Sequence, residues 1–241
     1  MIHLGIDISS NSTGWAAVDY SLDTYNLIDF GLIKPDGGMN HVQKLYLLGN
    51  EFERIFNRIE PDQVAIEESI IVNNIKTMRI LTRFGGIILY KSYEYNKIIA
   101  DIYEPKKWKN ILGVGGNAKK AEVQLEVCGV FKKMNNDNIL SYKQKISSIY
   151  ADITRVKQNT LLKENIEKKM LEENKNKKDA RKLIKHDLKK VICKMEEQFD
   201  KLSMDIYTES GINSDIGDSL GITIADIKVK NNLIKNEKEI I

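Results

Sequence analysis

The first 34 residues leave room for little except an antiparallel meander. Residues 2–9, 13–20 and 25–34 each alternate or run apolar and β-prone, and the links between them are short and polar. Links of that length cannot return a chain for parallel pairing, so three predicted strands pair as neighbours, up and down. The turn PDGG at 35–38 ends the meander.

Beyond that turn the apolar period changes. Val42, Leu45, Leu48, Phe52, Ile55 and Ile59 follow helical spacing, and Pro61 stops the helix. DQVAIEES, 62–69, reads as a short buried strand. Residues 74–95 read as a second helix in which Gly85 and Gly86 allow close packing. NKIIADIYEP, 96–105, reads as a fifth strand, followed by a loop with a short helical piece and a helix over 118–134. Three strands, then helix, strand, helix, strand, helix is the order of an α/β layered fold, with a mixed sheet and helices on its faces.

Residues 135–212 interrupt that order. Ile146, Ile149, Ile153 and Val156 recur every three or four residues. After the polar run at 173–179 come Ile184, Leu188, Val191, Met195, Phe199, Leu202 and Ile206. The pattern predicts an inserted α-helical hairpin whose stripes pack on each other, each helix being ~27 residues and ~40 Å long. From Phe131 to Ile212 there are 19 Lys/Arg and 13 Asp/Glu, a net of +6, whereas the remainder carries −3. A basic segment on a slightly acidic body suits either a polyanionic partner or a solvated lysine-rich surface. A last helix over 215–229 returns to the sheet, with Ser214 as its N-cap. The expected division is a discontinuous α/β domain, 1–134 and 213–230, the hairpin at 135–212, and a loose or weakly helical tail at 231–241.

Several classes are excluded. The chain opens directly into a strand, so no signal peptide is expected. No run of 18 apolar residues is present for a membrane span. Cys128 and Cys193 are the only cysteines and lack CxxC spacing, which argues against zinc and disulfide scaffolds. A cytoplasmic protein is the expectation. His3, His41 and His186 are scattered and carry no assigned role, and Trp15 and Trp108 read as packing residues.

Four acids stand out by position. Asp7 ends the first strand, Glu67 ends the fourth, and Asp215 and Asp218 share one face at the start of the last helix. If the fourth strand joins the first in parallel and the last helix crosses the sheet, all four meet. Carboxylates that close repel one another unless divalent cations neutralise them. Their oxygen ligands suit Mg²⁺, with Mn²⁺ as a substitute. Two such ions can activate water and steady the leaving oxygen of a phosphodiester. Glu68 reads as a solvent-exposed or opposite-face neighbour of Glu67.

These residues resemble the RuvC family of Holliday-junction resolvases, in the ribonuclease H-like superfamily. GIDISSNSTGWAAV resembles the family's opening block, VAIEES its glutamate strand, WKNILGVGGNAKKAEVQ its lysine and glycine segment, and DIGDSLGIT its final acidic helix. The hairpin is an insertion that the bacterial family lacks. The resemblance implies a five-stranded ribonuclease H-like mixed sheet. It also implies a metal-dependent endonuclease acting on four-way DNA as a homodimer, with two Mg²⁺ per site held by Asp7, Glu67, Asp215 and Asp218. It puts DNA-contacting or catalysis-assisting lysines at Lys109 and Lys120, with Lys119 as the neighbour if the register shifts by one. Water would attack phosphorus in line, with Lys120 offsetting the developing charge.

Two departures stand out. Ile8 and Ser9 replace the family's usual proline and glycine, and Ile70 takes the place of its stacking aromatic, where an apolar wedge could serve instead. The composition and insertion suggest a divergent, phage-type version. Other readings stay open. Flaps, forks or three-way junctions could be the substrate. The opening block also resembles the phosphate loop of sugar kinases and actin-like ATPases. A DEDD-type transposon recombinase and a non-catalytic DNA-binding relic are two more.

Overall fold

The computed structural model of the chain describes residues 1–68, 75–171 and 177–238, with side chains described except at 159–187, 191 and 233–238. Five strands form one sheet: β1 (Ile2–Asp7), β2 (Thr13–Ser21), β3 (Thr24–Ile33), β4 (Gln63–Glu67) and β5 (Asp101–Tyr103). Their order across the sheet is β3-β2-β1-β4-β5. The first three pair antiparallel, whereas β4 joins β1 and β5 joins β4 in parallel. This is the ribonuclease H-like mixed sheet expected from the sequence, with helices on both faces. β5 is shorter than expected. The helix before it runs to Asn96, and Lys97, at φ 56°, turns the chain before pairing starts at Asp101.

Period-two alternation gives each strand two faces. Leu4, Ile6, Trp15, Ala17, Val64 and Ile66 pack with Phe52, Phe56, Phe84 and Ile88 from α1 (His41–Ile59) and α2 (Ile75–Asn96). The start of α1 is set by Asn40, whose Oδ1 accepts from the Val42 and Gln43 N–H groups while the Gln43 side chain accepts from the Asn40 N–H. On the other face lie Ala16, Val18 and Ala65, covered by α3 (Pro105–Leu112), α4 (Lys120–Val130) and α7 (Ser214–Lys238).

α7 can lie this low because the strands beneath it are nearly bare. A Cβ on Gly5 would stand 2.1 Å from Thr223 Oγ1 and 2.4 Å from the Ser219 carbonyl oxygen. A Cβ on Gly14 would stand 2.3 Å from the Asp215 carbonyl oxygen. No side chain larger than hydrogen fits either place without moving the helix. The N-cap of α7 is Asn213 rather than the expected Ser214. Asn213 Oδ1 accepts from the Ile216 N–H at 2.8 Å, and the Asn213 carbonyl accepts the first helical hydrogen bond from Gly217. Ser214 is thereby left free to face the acids. α7 also continues in backbone to Lys238, so the described part of the tail takes the helical one of the two expected forms, loose or weakly helical.

α5 (Asn136–Leu171) and α6 (Lys177–Ser210) are 36 and 34 residues long, longer than the sequence periodicity suggests. Their roots do more than pack on each other. Ile139, Tyr142, Ile146, Ile149, Met195, Phe199, Leu202 and Ile206 are buried in the same core as α4 and α7, and Ile153 and Val156 pack against it. Gln124 of α4 fastens this junction, its amide donating to the Ile212 carbonyl at 2.8 Å and accepting from Ser203 Oγ of α6 at 2.5 Å. Ile184 and Val191 lie outside the described side chains. No described helix is long and apolar enough to cross a membrane.

Candidate active site

Asp7 and Glu67 stand at the carboxyl ends of adjacent parallel strands, and the first two turns of α7 bring Asp215 and Asp218 to them. The electrostatics make one cluster of the four. Burial and the charges of Asp218, Glu67 and Asp215, in that order, push the Asp7 carboxyl well above its ordinary range, against the opposing pull of Lys120. Burial likewise pushes Asp218 up to about 7, with Lys120 and Lys109 opposing and Glu67 and Asp215 adding. Glu67 is raised by burial and held back by a hydrogen bond from Trp108 and by the two lysines. Asp218 Oδ1 is covered and has no hydrogen-bond partner among the described residues. Among the described residues, however, no three His, Cys, Asp or Glu side chains already converge on one metal position. Asp215 is turned instead toward Lys120, whose Nζ lies 3.5 Å from its Oδ1 and 3.3 Å from Ser214 Oγ.

The structure separates the three candidate lysines. Lys120, the first residue of α4, reaches the acids. Lys119 precedes α4 and turns away, pairing with Glu196 of α6 at 3.5 Å. Its backbone N–H is held by Glu122, which also accepts from Tyr150 of α5 at 2.7 Å. Lys109, on α3, acts on Glu67 and Asp218 electrostatically, while its Nζ donates to the Ala118 carbonyl at 3.3 Å. Between α3 and α4 the glycine turn carries Gly113 and Gly115 at φ 109° and 89°, a backbone that L side chains rarely adopt. Glu68 is exposed, as expected, and its N–H pairs with the Tyr103 carbonyl. Ile70 lies outside the described residues.

Sequence reasoning missed Trp108. It is fully buried, and its indole Nε1 donates to Glu67 Oε2 at 2.6 Å. The ring sits where α7 has Gly221, since a Cβ there would stand 2.7 Å from it. A tryptophan in an amphipathic stretch carries no local sign of its N–H partner, so only the fold reveals this role. Ser214 was likewise read as a cap and instead touches Lys120 and Asp215.

The sequence comparisons name one family. The family model described as crossover junction endodeoxyribonuclease RuvC matches residues 3–140. That span includes Asp7, Glu67 and the three lysines and ends before Asp215 and Asp218. The RuvC of Orientia tsutsugamushi (strain Boryong) is 36% identical over 124 residues, covering 52% of this chain and 77% of its own. The RuvC of Ruminiclostridium cellulolyticum is 31% identical over 124 residues, covering 52% and 74%. Among solved structures, Thermus thermophilus RuvC is similar with a TM-score of 0.49 and 21% identity, over 55% of this chain and 81% of its own. A fowlpox virus resolvase in complex with Holliday junction DNA gives 0.35 and 18%, over 59% and 86%.

Proposed function

Because the chain belongs to the RuvC family of crossover junction endodeoxyribonucleases, we propose that it cleaves four-way DNA junctions by metal-dependent phosphodiester hydrolysis at Asp7, Glu67, Asp215 and Asp218. The observation that carries this reading is the charge that Glu67 of β4 and Asp215 and Asp218 of α7 place on the buried Asp7 carboxyl of β1. Acids that raise one another's pKa values are costly in a folded protein unless positive charge is brought to them. Family membership also favours hydrolysis of DNA over the ATP-binding reading of the opening block.

The donor set fits hard divalent cations. All four groups are carboxylates, and the buried Asp218 Oδ1 has no partner among the described residues. When bound, Mg²⁺ or Mn²⁺ would neutralise the acids, ease deprotonation of water and support the departing oxygen. The protein's own part is positioning and charge. Trp108 orients Glu67 through its indole N–H. The charge that Lys120 now offers Asp215 at 3.5 Å would be taken over by bound cations, leaving the Lys120 ammonium to meet a phosphate oxygen. Lys109, beside the glycine turn, adds a second cation on the same side.

The reading extends to a homodimer acting on a branched substrate, and Ile75, Tyr90 and Tyr93 of α2 supply exposed apolar surface for a second copy. It also treats 135–212 as an inserted arm that meets DNA with its excess of lysines. Replacing the exposed Lys189 and Lys190 with glutamate should then weaken junction binding and lower the slope of affinity against salt. An unchanged slope would assign the hairpin to protein contacts.

The test of the central reading is Asp7→Asn, assayed on labelled four-way, three-way, flap and linear DNA with and without Mg²⁺. Cleavage of the four-way junction should disappear while its binding persists. Loss of binding together with cleavage would give Asp7 a structural role, and faster parental cleavage of flaps would move the substrate assignment.

A further inference from the structure

A second buried polar cluster lies under the same helix, away from the acids. Asp226 of α7 is fully buried. Its Oδ2 lies 2.7 Å from His3 Nδ1, and its Oδ1 accepts from the Tyr103 hydroxyl at 2.9 Å. His3 and Tyr103 are themselves 3% and 4% exposed. A carboxylate this deep is stable only when donors satisfy it, so these two hydrogen bonds hold one another in place.

The cluster shares its strands with the acids. His3 is four residues before Asp7 on β1, and period two puts both on the face that meets α7, with Gly5 between them. Tyr103 is the β5 residue paired directly with Glu67. Asp226 therefore ties α7 to the strand of Asp7 and to the neighbour of Glu67 at once. The lengths agree. Four residues of strand span about 13 Å at 3.3 Å each. The eight residues from Asp218 to Asp226 span about 12 Å at 1.5 Å each. A helix anchored at Asp226 thus presents Asp218 beside Asp7. A slip of one residue at the anchor would shift it by about 1.5 Å and turn it by roughly 100°.

The contact between anchor and acids needs such a device. Gly5 and Gly14 let α7 approach closely, but a glycine offers no side chain to resist sliding. Thr223 Oγ1 reaches the Ala16 carbonyl at only 3.4 Å. Trp108 seats against Gly221 in this stretch, yet its N–H bonds to Glu67 and not to α7, and the ties of Lys228 to the Leu112 carbonyl and of Lys230 to Asp101 lie beyond Asp226. Asp226 supplies directional hydrogen bonds to β1 and β5 at the end of the stretch itself.

We propose that His3, Asp226 and Tyr103 act as positioning residues, a buried lock that fixes the register of α7 on the sheet and so sets Asp215 and Asp218 against Asp7 and Glu67. The proposal rests on the assignment of those acids as the cleavage site.

The experiment compares Tyr103→Phe, His3→Leu, His3→Asn and Asp7→Asn with the parent. The full chain is used throughout, below the unfolding temperature of each variant. Four quantities are read: thermal midpoint, Mn²⁺ binding without DNA by electron paramagnetic resonance, junction affinity, and single-turnover cleavage. Misplacement of about 1 Å costs on the order of 100-fold in rate. Tyr103→Phe and His3→Leu should therefore lose roughly 10- to 100-fold in cleavage and bind Mn²⁺ more weakly, with junction affinity held within about twofold. His3→Asn, whose amide nitrogen stands close to the place of Nδ1, should recover most of both. Tyr103→Phe removes a single hydroxyl and serves if His3→Leu does not fold. Lower midpoints with parental Mn²⁺ binding and cleavage would overturn the lock and leave the cluster a stabilising one. If instead Asp7→Asn cleaves like the parent, the site assignment itself has failed.

Discussion

The two faces of the sheet are made from the same strands and do opposite things. Toward α1 and α2 the strands present Leu4, Ile6, Trp15, Val64 and Ile66, a bulky apolar surface in contact with phenylalanines. Toward α7 they present His3, Gly5, Asp7, Gly14, Ala16, Ala65 and Glu67. The first face gains stability by burying area. The second gives up side-chain volume so that a helix can come close enough to pool its acids with those of the strands, and it buries charge in doing so. Alternation at period two lets one strand serve both ends without compromise at any single position.

The largest expected effects come from adjacent residues of β1 that point to opposite faces. Leu4→Ala should cost about 2–5 kcal/mol by opening a cavity. Gly5→Ala should cost about 1–3 kcal/mol or more by pushing α7 away. Urea unfolding measures both. Single-turnover cleavage by the folded fraction then separates them. Leu4→Ala should stay within about twofold of the parent, while Gly5→Ala should lose on the order of 100-fold. Equal losses of rate would erase the distinction between the faces.

Trp108→Phe sharpens the comparison by removing one N–H from the α7 face while keeping a ring. A hydrogen bond to a charged group contributes about 1.5–3 kcal/mol, so cleavage should fall roughly 10- to 100-fold. Without its donor, the Glu67 carboxyl rises further from its ordinary range. The acid limb of the pH–rate profile should move to higher pH. A slower enzyme with an unmoved limb would make Trp108 a packing residue only.

Charge burial on the α7 face should also be visible in stability. Asp218 holds its proton to about pH 7 in the fold, against an ordinary value of 3.8. Between those values the folded state binds more protons than the unfolded one, so stability falls as pH rises from about 4 to 7. Asp218→Asn should flatten that fall when measured in chelator, and at pH 7.5 should raise stability by about 1–2 kcal/mol, or roughly 2–8 °C in midpoint. Ile66→Val, on the opposite face, should lower stability by about 0.5–1.5 kcal/mol with the pH dependence intact. A slope unaffected by Asp218→Asn would mean that other groups carry it.

Much of this division is legible in the sequence, because it rests on local rules. The meander, the alternation and the acids at strand ends follow from spacing alone. Positions 7, 67, 215 and 218 share a field because the chain order brings β4 beside β1 and α7 across both. What could not be read depends on partners far along the chain. Trp108 bonds a residue 41 positions away, and His3 one 223 away. The hairpin stripes were legible as stripes, but Ile146 and Phe199 look the same whether they meet each other or the core under α7. The cap of α7 was misread because Asn213 and Ser214 are both good caps, and only the direction of Asn213 Oδ1 decides between them.

The smallest expected effect lies where neither face is involved. β2 and β3 are joined by Leu22 and Asp23, at φ 51° and 57°. Positive φ at both central residues is the type I′ hairpin turn, which favours Asn or Gly at the first position. Leucine there carries the strain of a left-handed backbone and returns nothing, since its side chain is 98% exposed. Leu22→Asn should therefore stabilise the protein by about 0.5–1 kcal/mol, a part of the usual 1–2 kcal/mol left-handed penalty, read as a higher urea midpoint with unchanged slope. The gain comes from the turn, so cleavage rate, metal response and the pH dependence of stability should all stay at parental values. A change in any of them would show that the meander communicates with the α7 face, and the two surfaces would then have to be treated as one.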